Sequence, residues 1–256
     1  MIHPTAIIHP GAKISANVEI GPYSIIGEHV TLGEGCWVGP HAVVEGRTTI
    51  GRNNRIFQFA SIGAIPQDLK YHGEETTLTI GDGNTFREFV TVHLGTADGG
   101  GTTIIGHKNL LMAYVHVAHD CRVGNEIVLA NAATLAGHVE IGDHAILGGL
   151  SAIHQFTRIG THAMISGGSM VNQDITPYTI AQGDRAAPVG INLIGLKRRG
   201  FSDEALRGLK NSYKTIFRAG LKQEEALEKL TEDAEKFPEV RIFVDFIRGS
   251  QRGIAR

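Results

Sequence analysis

The chain has 256 residues, 42% apolar but only 6% aromatic, with 33 glycines and a net charge of −2. That composition allows a large core of thin, repetitive layers and excludes a bulky aromatic interior; the near-neutral charge gives no reason to expect nucleic acid as the main partner. Cys36 and Cys121 fit neither a metal spacing nor a disulfide framework. No basic leader precedes an apolar run and no stretch is long enough to span a bilayer, so a soluble, cytoplasmic protein is expected.

From the N-terminus, aliphatic residues fall at every sixth position without a break, from Ile2, Ile8 and Ile14 to Ile56 and Ile62. The register resumes at Ile80, Phe86 and Val92, and again from Ile105 through Val117, Val123, Leu129 and Leu135 to Val171. Neither the helical period nor simple alternation fits this spacing, so the chain reads as a solenoid. Three hexads make one turn of a triangular coil, with each face a short strand and successive turns paired in parallel roughly 4.8 Å apart. Two positions before each aliphatic the side chain is usually small, as at Ala42, Ala133 and Ala145, and both cysteines occupy this inward place as core filler. Glycine often follows the aliphatic, as at Gly21, Gly33, Gly124 and Gly160, where it is expected to supply the positive φ of a sharp corner.

The rhythm breaks twice, at residues 63–79 around the segment AIPQDLKYHGEET and at 95–103, which holds the run Gly99, Gly100 and Gly101. A solenoid accommodates insertions as loops thrown off one face, and such loops often build sites. The coil is expected over residues 1–177, with a linker and a helical domain over 178–256. In that tail Ser202 caps a helix that Gly220 ends, a second runs from Gln223 to Lys236, and Pro238 opens a third. These helices are expected to form a small bundle that also covers the open strand edge at the end of the coil. Their basic stretch, from Lys197 to Lys222, suits an acidic partner protein, although such runs are usually solvated faces.

Chemistry concentrates at His116-Val117-Ala118-His119-Asp120. A histidine beside a carboxylate suits a general base held in one tautomer, although a surface histidine with incidental neighbours fits these five residues equally well. Stacking by eighteen residues puts His119, Gly137 and Gln155 in one column and His138 one coil beyond Asp120. A base, a bare backbone N–H and a carboxamide on one ridge are what acyl transfer to an alcohol requires.

The segments QDLKY (Gln67–Tyr71), HVAHDC (His116–Cys121), LAGHV (Leu135–Val139), HQF (His154–Phe156) and GLKRRGFS (Gly195–Ser202) resemble the UDP-N-acetylglucosamine 3-O-acyltransferases of lipid A biosynthesis, a hexapeptide-repeat family. The resemblance covers nearly the whole chain. It implies an all-β solenoid, a left-handed parallel β-helix, with a C-terminal α-helical domain. It also implies an enzyme with no cofactor or metal, which takes an (R)-3-hydroxyacyl group from acyl carrier protein, and a homotrimer with sites between chains. His119 would be the general base, Asp120 its orienting partner and the Gly137 N–H the oxyanion donor. Gln67, Asp68, Lys70, His93, His116, His138, His154, Gln155, Asn192, Arg198 and Arg199 would contact substrate, and Gly167 would set acyl length. Ile194, Leu94 and the pair Asp184-Arg185 depart from the family pattern, which leaves a 3-amino sugar open as the acceptor.

Three other readings compete. The related N-acyltransferases share the coil but should carry an additional N-terminal domain, whereas hexads here begin at Ile2. A zinc lyase on the same coil could use His93, His116 and His119 as three nitrogen ligands. A purely structural or binding solenoid explains the hexads but not the 119–137–155 column.

Overall fold

The computed structural model describes all 256 residues. Two-residue strands repeat along the chain, as at Ile25–Ile26, Thr31–Leu32 and Trp37–Val38, and fall in turn on three faces of a prism. Each strand pairs in parallel with its counterpart one coil on: His116 with Thr134, Val117 with Leu135, then Thr134 with Ala152. The first face collects nine strands, the second eight and the third ten. One residue of each two-residue strand points inward and two of each longer one, so 42 buried residues form a continuous axial core. Cys36 and Cys121 belong to that core; burial pushes the Cys121 thiol up to about 12, so both are inert filler.

The corners differ from the expectation at one point. Of the glycines that directly follow the aliphatics, Gly21, Gly33, Gly124 and Gly160 do not have positive φ; Gly63, at the start of the first interruption, does. The left-handed conformation falls instead three residues after the aliphatic, at Tyr23, His41, Phe59, Tyr114, Asp120, His138 and Phe156 among others. Glycine is needed after the aliphatic for a different reason. Coils stack so closely there that a Cβ at Gly33 would strike the Gly51 backbone, and one at Gly160 the Pro177 ring.

At both interruptions the coil is resumed without loss of register. Ile50 pairs with Ile80 and Ile80 with Ile105, although the chain between them is longer than one turn. The first loop leaves after the strand Ser61–Ala64 and returns at Thr77–Ile80, with Arg47 ion-paired to Glu75 at its base. The second runs from His93 to Thr102 through a short 3₁₀ turn, Ala97–Gly99. A ladder of buried asparagines ties these irregular coils together. The Asn84 backbone N–H donates to the Asn54 side chain at 2.9 Å, and that of Asn109 donates to the Asn84 side chain at 2.8 Å.

The third face ends in a hairpin, Thr179–Gln182 with Ala187–Ile191. Five helices follow: α1 Leu193–Arg198, α2 Asp203–Phe217, α3 Gln223–Lys229, α4 Thr231–Lys236 and α5 Pro238–Arg248. The Ser202 hydroxyl caps α2 by accepting from the Ala205 N–H at 3.1 Å. The expected helix over 223–236 is broken at Leu230, whose side chain is fully buried among the helices. Leu206, Leu209, Val240, Phe243 and Ile247 join ten other buried residues in a second core. The open strand edge is covered by peptide backbone as well as by packing. Asp174 pairs with Ile254, and the Ala255 N–H donates to the Asp174 carbonyl at 2.9 Å. No helix is long and apolar enough to cross a membrane.

Replacing Gly160 with Ala should destabilise the fold by about 1–3 kcal/mol, because the new methyl meets rigid backbone and a proline ring. Gly190→Ala meets nothing within 4 Å and should change stability by less than about 0.5 kcal/mol. Urea denaturation of the two variants against the parent compares them directly.

Candidate active site

The edge where the first face turns into the second carries His119 and Asp120 in one coil, Gly137 and His138 in the next, and Gln155 and Phe156 in the third. Asp120 takes the left-handed corner conformation, φ +59, which turns its side chain back under the second loop. There it is fully buried and satisfied. Its Oδ1 accepts from the Thr96 N–H at 2.9 Å, and its Oδ2 from the Thr96 hydroxyl at 2.6 Å. The Asp120 N–H donates to the Thr103 hydroxyl at 2.8 Å. Gly99 lies so close to the carboxylate that any Cβ there would collide with it.

His119 Nδ1 sits 2.8 Å from Asp120 Oδ2. Because the carboxylate only accepts, the proton resides on Nδ1 and Nε2 is left with its lone pair. The imidazole is 15% exposed, so it is sheltered yet reachable. Beneath it lies Gly137: a Cβ there would come within 2.5 Å of His119 Cε1 and 2.7 Å of Nε2. No group of the chain accepts a hydrogen bond from the Gly137 N–H; those of His119 and Gln155, at the same turn position, are equally free. Glycine therefore lets the imidazole lie against a bare peptide N–H.

His138 closes the other side. Its ring stacks on Phe156 at 4.3 Å, meets His119 edge-on at 5.1 Å, and places Nε2 3.8 Å from Asp120 Oδ2. Burial lowers its pKa, opposed by the carboxylates of Asp120 and Asp68. His93 and His116 form an edge-on pair at 4.9 Å. His116 Nδ1 engages the Thr91 hydroxyl at 2.7 Å, and burial followed by His119 lowers its pKa. His93 is 4% exposed with no partner for Nδ1; burial, then His116 and His119, lowers its pKa to about 4. The three-histidine set His93, His116 and His119 does not converge on one point. The group that does converge is His119, Asp120 and His138, with ligand atoms within 4.8 Å of one another.

Other expected residues fall in distinct places. Asp68, Lys70 and their neighbour Gln67 lie on the first loop, which flanks Thr96, Ala97 and Asp98; Gln67 and Lys70 are exposed. His154 and Gln155 are exposed on the edge that carries His119, where Arg252 reaches His154 Nδ1 at 2.9 Å. Asn192, Arg198 and Arg199 lie along the edge between the second and third faces. Asn192 donates to the His162 carbonyl at 3.1 Å and caps α1, while Arg199 pairs with Glu126 at 3.2 Å. Gly167 stacks on Gly149 at the edge between the third and first faces, which leaves that edge shallow. One chain therefore distributes the expected residues over three edges.

Several contributors carry no obvious sequence mark. Thr96 and Thr103 hold Asp120, Gly99 makes room for it, and Phe156 supports His138. The glycine run in the second interruption and the HQF segment hinted at Gly99 and Phe156; nothing marked Thr96 or Thr103. Gly99, Asp120, His138, Phe156 and Arg252 border a cleft of about 730 Å³ that opens along the second face.

Known proteins share this fold over the whole chain. Residues 174–255 match the model of the second domain of UDP-N-acetylglucosamine O-acyltransferases, and residues 1–33 the bacterial transferase hexapeptide repeat. The chain is 53% identical over 255 residues to an acyl-[acyl-carrier-protein]–UDP-N-acetylglucosamine O-acyltransferase of Thermodesulfovibrio yellowstonii, covering 100% of this chain and 99% of that one. It superposes with TM-score 0.97 on the UDP-N-acetylglucosamine acyltransferase of Bacteroides fragilis, at 47% identity with both chains fully covered. It superposes equally well, TM-score 0.97, on the UDP-N-acetylglucosamine O-acyltransferase of Moraxella catarrhalis, at 45% identity, covering 100% of this chain and 99% of that one. The coil shares the left-handed winding of these structures.

His93 generates a pH prediction. An unfolded histidine protonates near 6.5, whereas the folded His93 refuses a proton until about pH 4. Its cost to stability is nil above about pH 6.5 and grows as pH falls to about 4, reaching up to about 3 kcal/mol. His162, also lowered to about 4 by burial, contributes likewise. Urea midpoints should fall between pH 7 and pH 4.5, and His93→Asn should make that fall shallower.

Proposed function

The chain belongs to the UDP-N-acetylglucosamine O-acyltransferase family, and from that premise we propose that His119 is the base of an acyl transfer carried out on the edge described above. The protein transfers an (R)-3-hydroxyacyl group from acyl carrier protein to the 3-hydroxyl of UDP-N-acetylglucosamine, the first step of lipid A biosynthesis. The observation that carries the mechanism is the 2.8 Å contact from His119 Nδ1 to Asp120 above a glycine with a free N–H.

The chemistry follows from where the protons sit. His119 Nε2 takes the proton of the sugar hydroxyl as its oxygen attacks the thioester carbonyl. Asp120 steadies the imidazolium that forms, while the oxyanion of the tetrahedral intermediate accepts from the Gly137 N–H. Collapse of that intermediate breaks the carbon–sulfur bond, and the departing thiolate takes the proton from Nε2. Gln155, His138, His116 and His154 line the approach for the nucleotide sugar, with His93 behind them. Asp68, flanked by Gln67 and Lys70, reaches towards the reacting groups from the first loop. A 3-amino acceptor has less support: Leu94 is a core residue 4% exposed, out of reach of a substrate, and the relatives are named as O-acyltransferases.

A complete site needs a neighbouring chain. The third face carries an outward column of half-buried aliphatics, Leu110, Val128, Ile146, Met164 and Ile180, where the second carries Arg122, Glu140 and Arg158. In a homotrimer that apolar face of one chain lies against the catalytic edge of the next. Gly167 and Asn192, Arg198 and Arg199 flank the same face, so they would contribute acyl-length control and nucleotide contacts from the neighbour. An acyl-carrier-protein donor supports a cytoplasmic site for the reaction.

His119→Ala should lower kcat by about 10²–10⁴-fold with the fold retained, read by mass-spectrometric transfer assay. Full activity in that variant would remove the mechanism. Gly137→Ala should cost about 10²-fold by displacing the imidazole. Co-refolding inactive His119→Ala chains with inactive Arg198→Ala chains should restore part of the activity, since mixed trimers contain clefts with both residues intact. Absence of any rescue would place the whole site within one chain.

A further inference from the structure

We propose that His119, Asp120 and His138 form a binding site for a zinc ion, and that zinc there switches the catalytic imidazole off. The first half stands on geometry alone; the second rests on the reading of His119 as the base. His119 Nδ1 lies 2.8 Å and His138 Nε2 3.8 Å from Asp120 Oδ2, and all three atoms fall within 4.8 Å of one another. Zinc binds histidine nitrogen and carboxylate oxygen at roughly 2.0–2.2 Å, so tetrahedral ligands lie roughly 3.4 Å apart. Changes in these separations of roughly 0.5–1.5 Å, within reach of small side-chain rotations, would seat the ion.

The surroundings favour it. Two imidazoles and a carboxylate form a common zinc donor set, and the fourth position opens into the cleft beside Gly99 and Phe156. The ligands are held from behind: Asp120 by Thr96, His138 by its stack on Phe156. Such outer support typically raises metal affinity. His116 is not available as a ligand at Nδ1, which Thr91 already engages. The other histidine pair, His144 and His162, stacks at 4.6 Å beside Glu126, whose Oε2 is shared by Arg199.

The switch is a change of tautomer. Without metal, the single imidazole proton of His119 lies on Nδ1, bonded to Asp120, and Nε2 is the base. Zinc takes the Nδ1 lone pair, so the proton moves to Nε2 and none is lost overall. The atom that should accept the hydroxyl proton then already carries one. The same ion also draws on the carboxylate that would steady an imidazolium.

Isothermal titration of zinc chloride into the metal-free full-length protein should give one site per chain. His138→Asn, which tolerates the left-handed φ of +61, should weaken binding by more than about tenfold. Asp120→Asn should do the same, and His162→Asn should leave affinity unchanged. Zinc should inhibit transfer in step with occupancy, and a chelator should restore it. Equal zinc affinity in the parent, His138→Asn and Asp120→Asn overturns the site. Binding that depends on His138 but leaves transfer undiminished overturns the switch. A metal-free protein that transfers nothing, yet binds zinc through His138, would count against the catalytic reading and leave the metal site standing.

Discussion

Every feature of this molecule depends on one constraint, the parallel pairing of each coil with the next. Two-residue strands bury too little to be stable alone, and each is held by neighbours on both sides along the axis. That pairing makes the inward aliphatics continuous and brings corners of successive coils within van der Waals reach. It also sets the tolerance for side chains at those corners, which is why a glycine stands at the tightest approaches, as at Gly33 and Gly160.

The edge that carries His119 exploits the same constraint. Corner residues in the left-handed conformation project in register, so Asp120, His138 and Phe156 form a ladder that no single coil could hold. His119 can rest on the Gly137 backbone only because coil spacing leaves room for an imidazole and no room for a methyl group. The second loop then seals the arrangement. Thr96 gives Asp120 two donors in a place closed to water, which fixes the carboxylate and, through it, the tautomer of His119. Fixed donors in a sheltered site stabilise developing charge without reorganising.

The spread of the expected site residues over three edges has a physical origin too. A prism has three edges, and residues distant in sequence can share an edge only if they occupy the same corner of different coils. Asn192 and Arg199 come after the last full coil and attach beside His162 and Glu126, an edge away from His119. The apolar column from Leu110 to Ile180 would give a neighbouring chain a surface to pack on. Packing one chain's third face against another's first edge would reunite groups that a single coil must keep apart.

The period of six determined much of this from the sequence alone: the three-sided coil, the inward cysteines, both interruptions and the alignment of His119 with Gly137 and Gln155 could all be read from spacing. Local patterning also marked α2, with Ser202 at its cap. Tertiary structure alone decided the rest. The left-handed φ lies at Asp120 and His138 and not at Gly33 or Gly160, because coil stacking, not chain reversal, is what demands those glycines. Thr96 and Gly99 could not be matched to Asp120 beforehand, since a loop outside the repeat has no register to count. A helix expected over 223–236 breaks at Leu230 because burying that side chain outweighs helical continuity. Periodic segments announce their neighbours by arithmetic, whereas loops and tails find theirs only through the surfaces they meet.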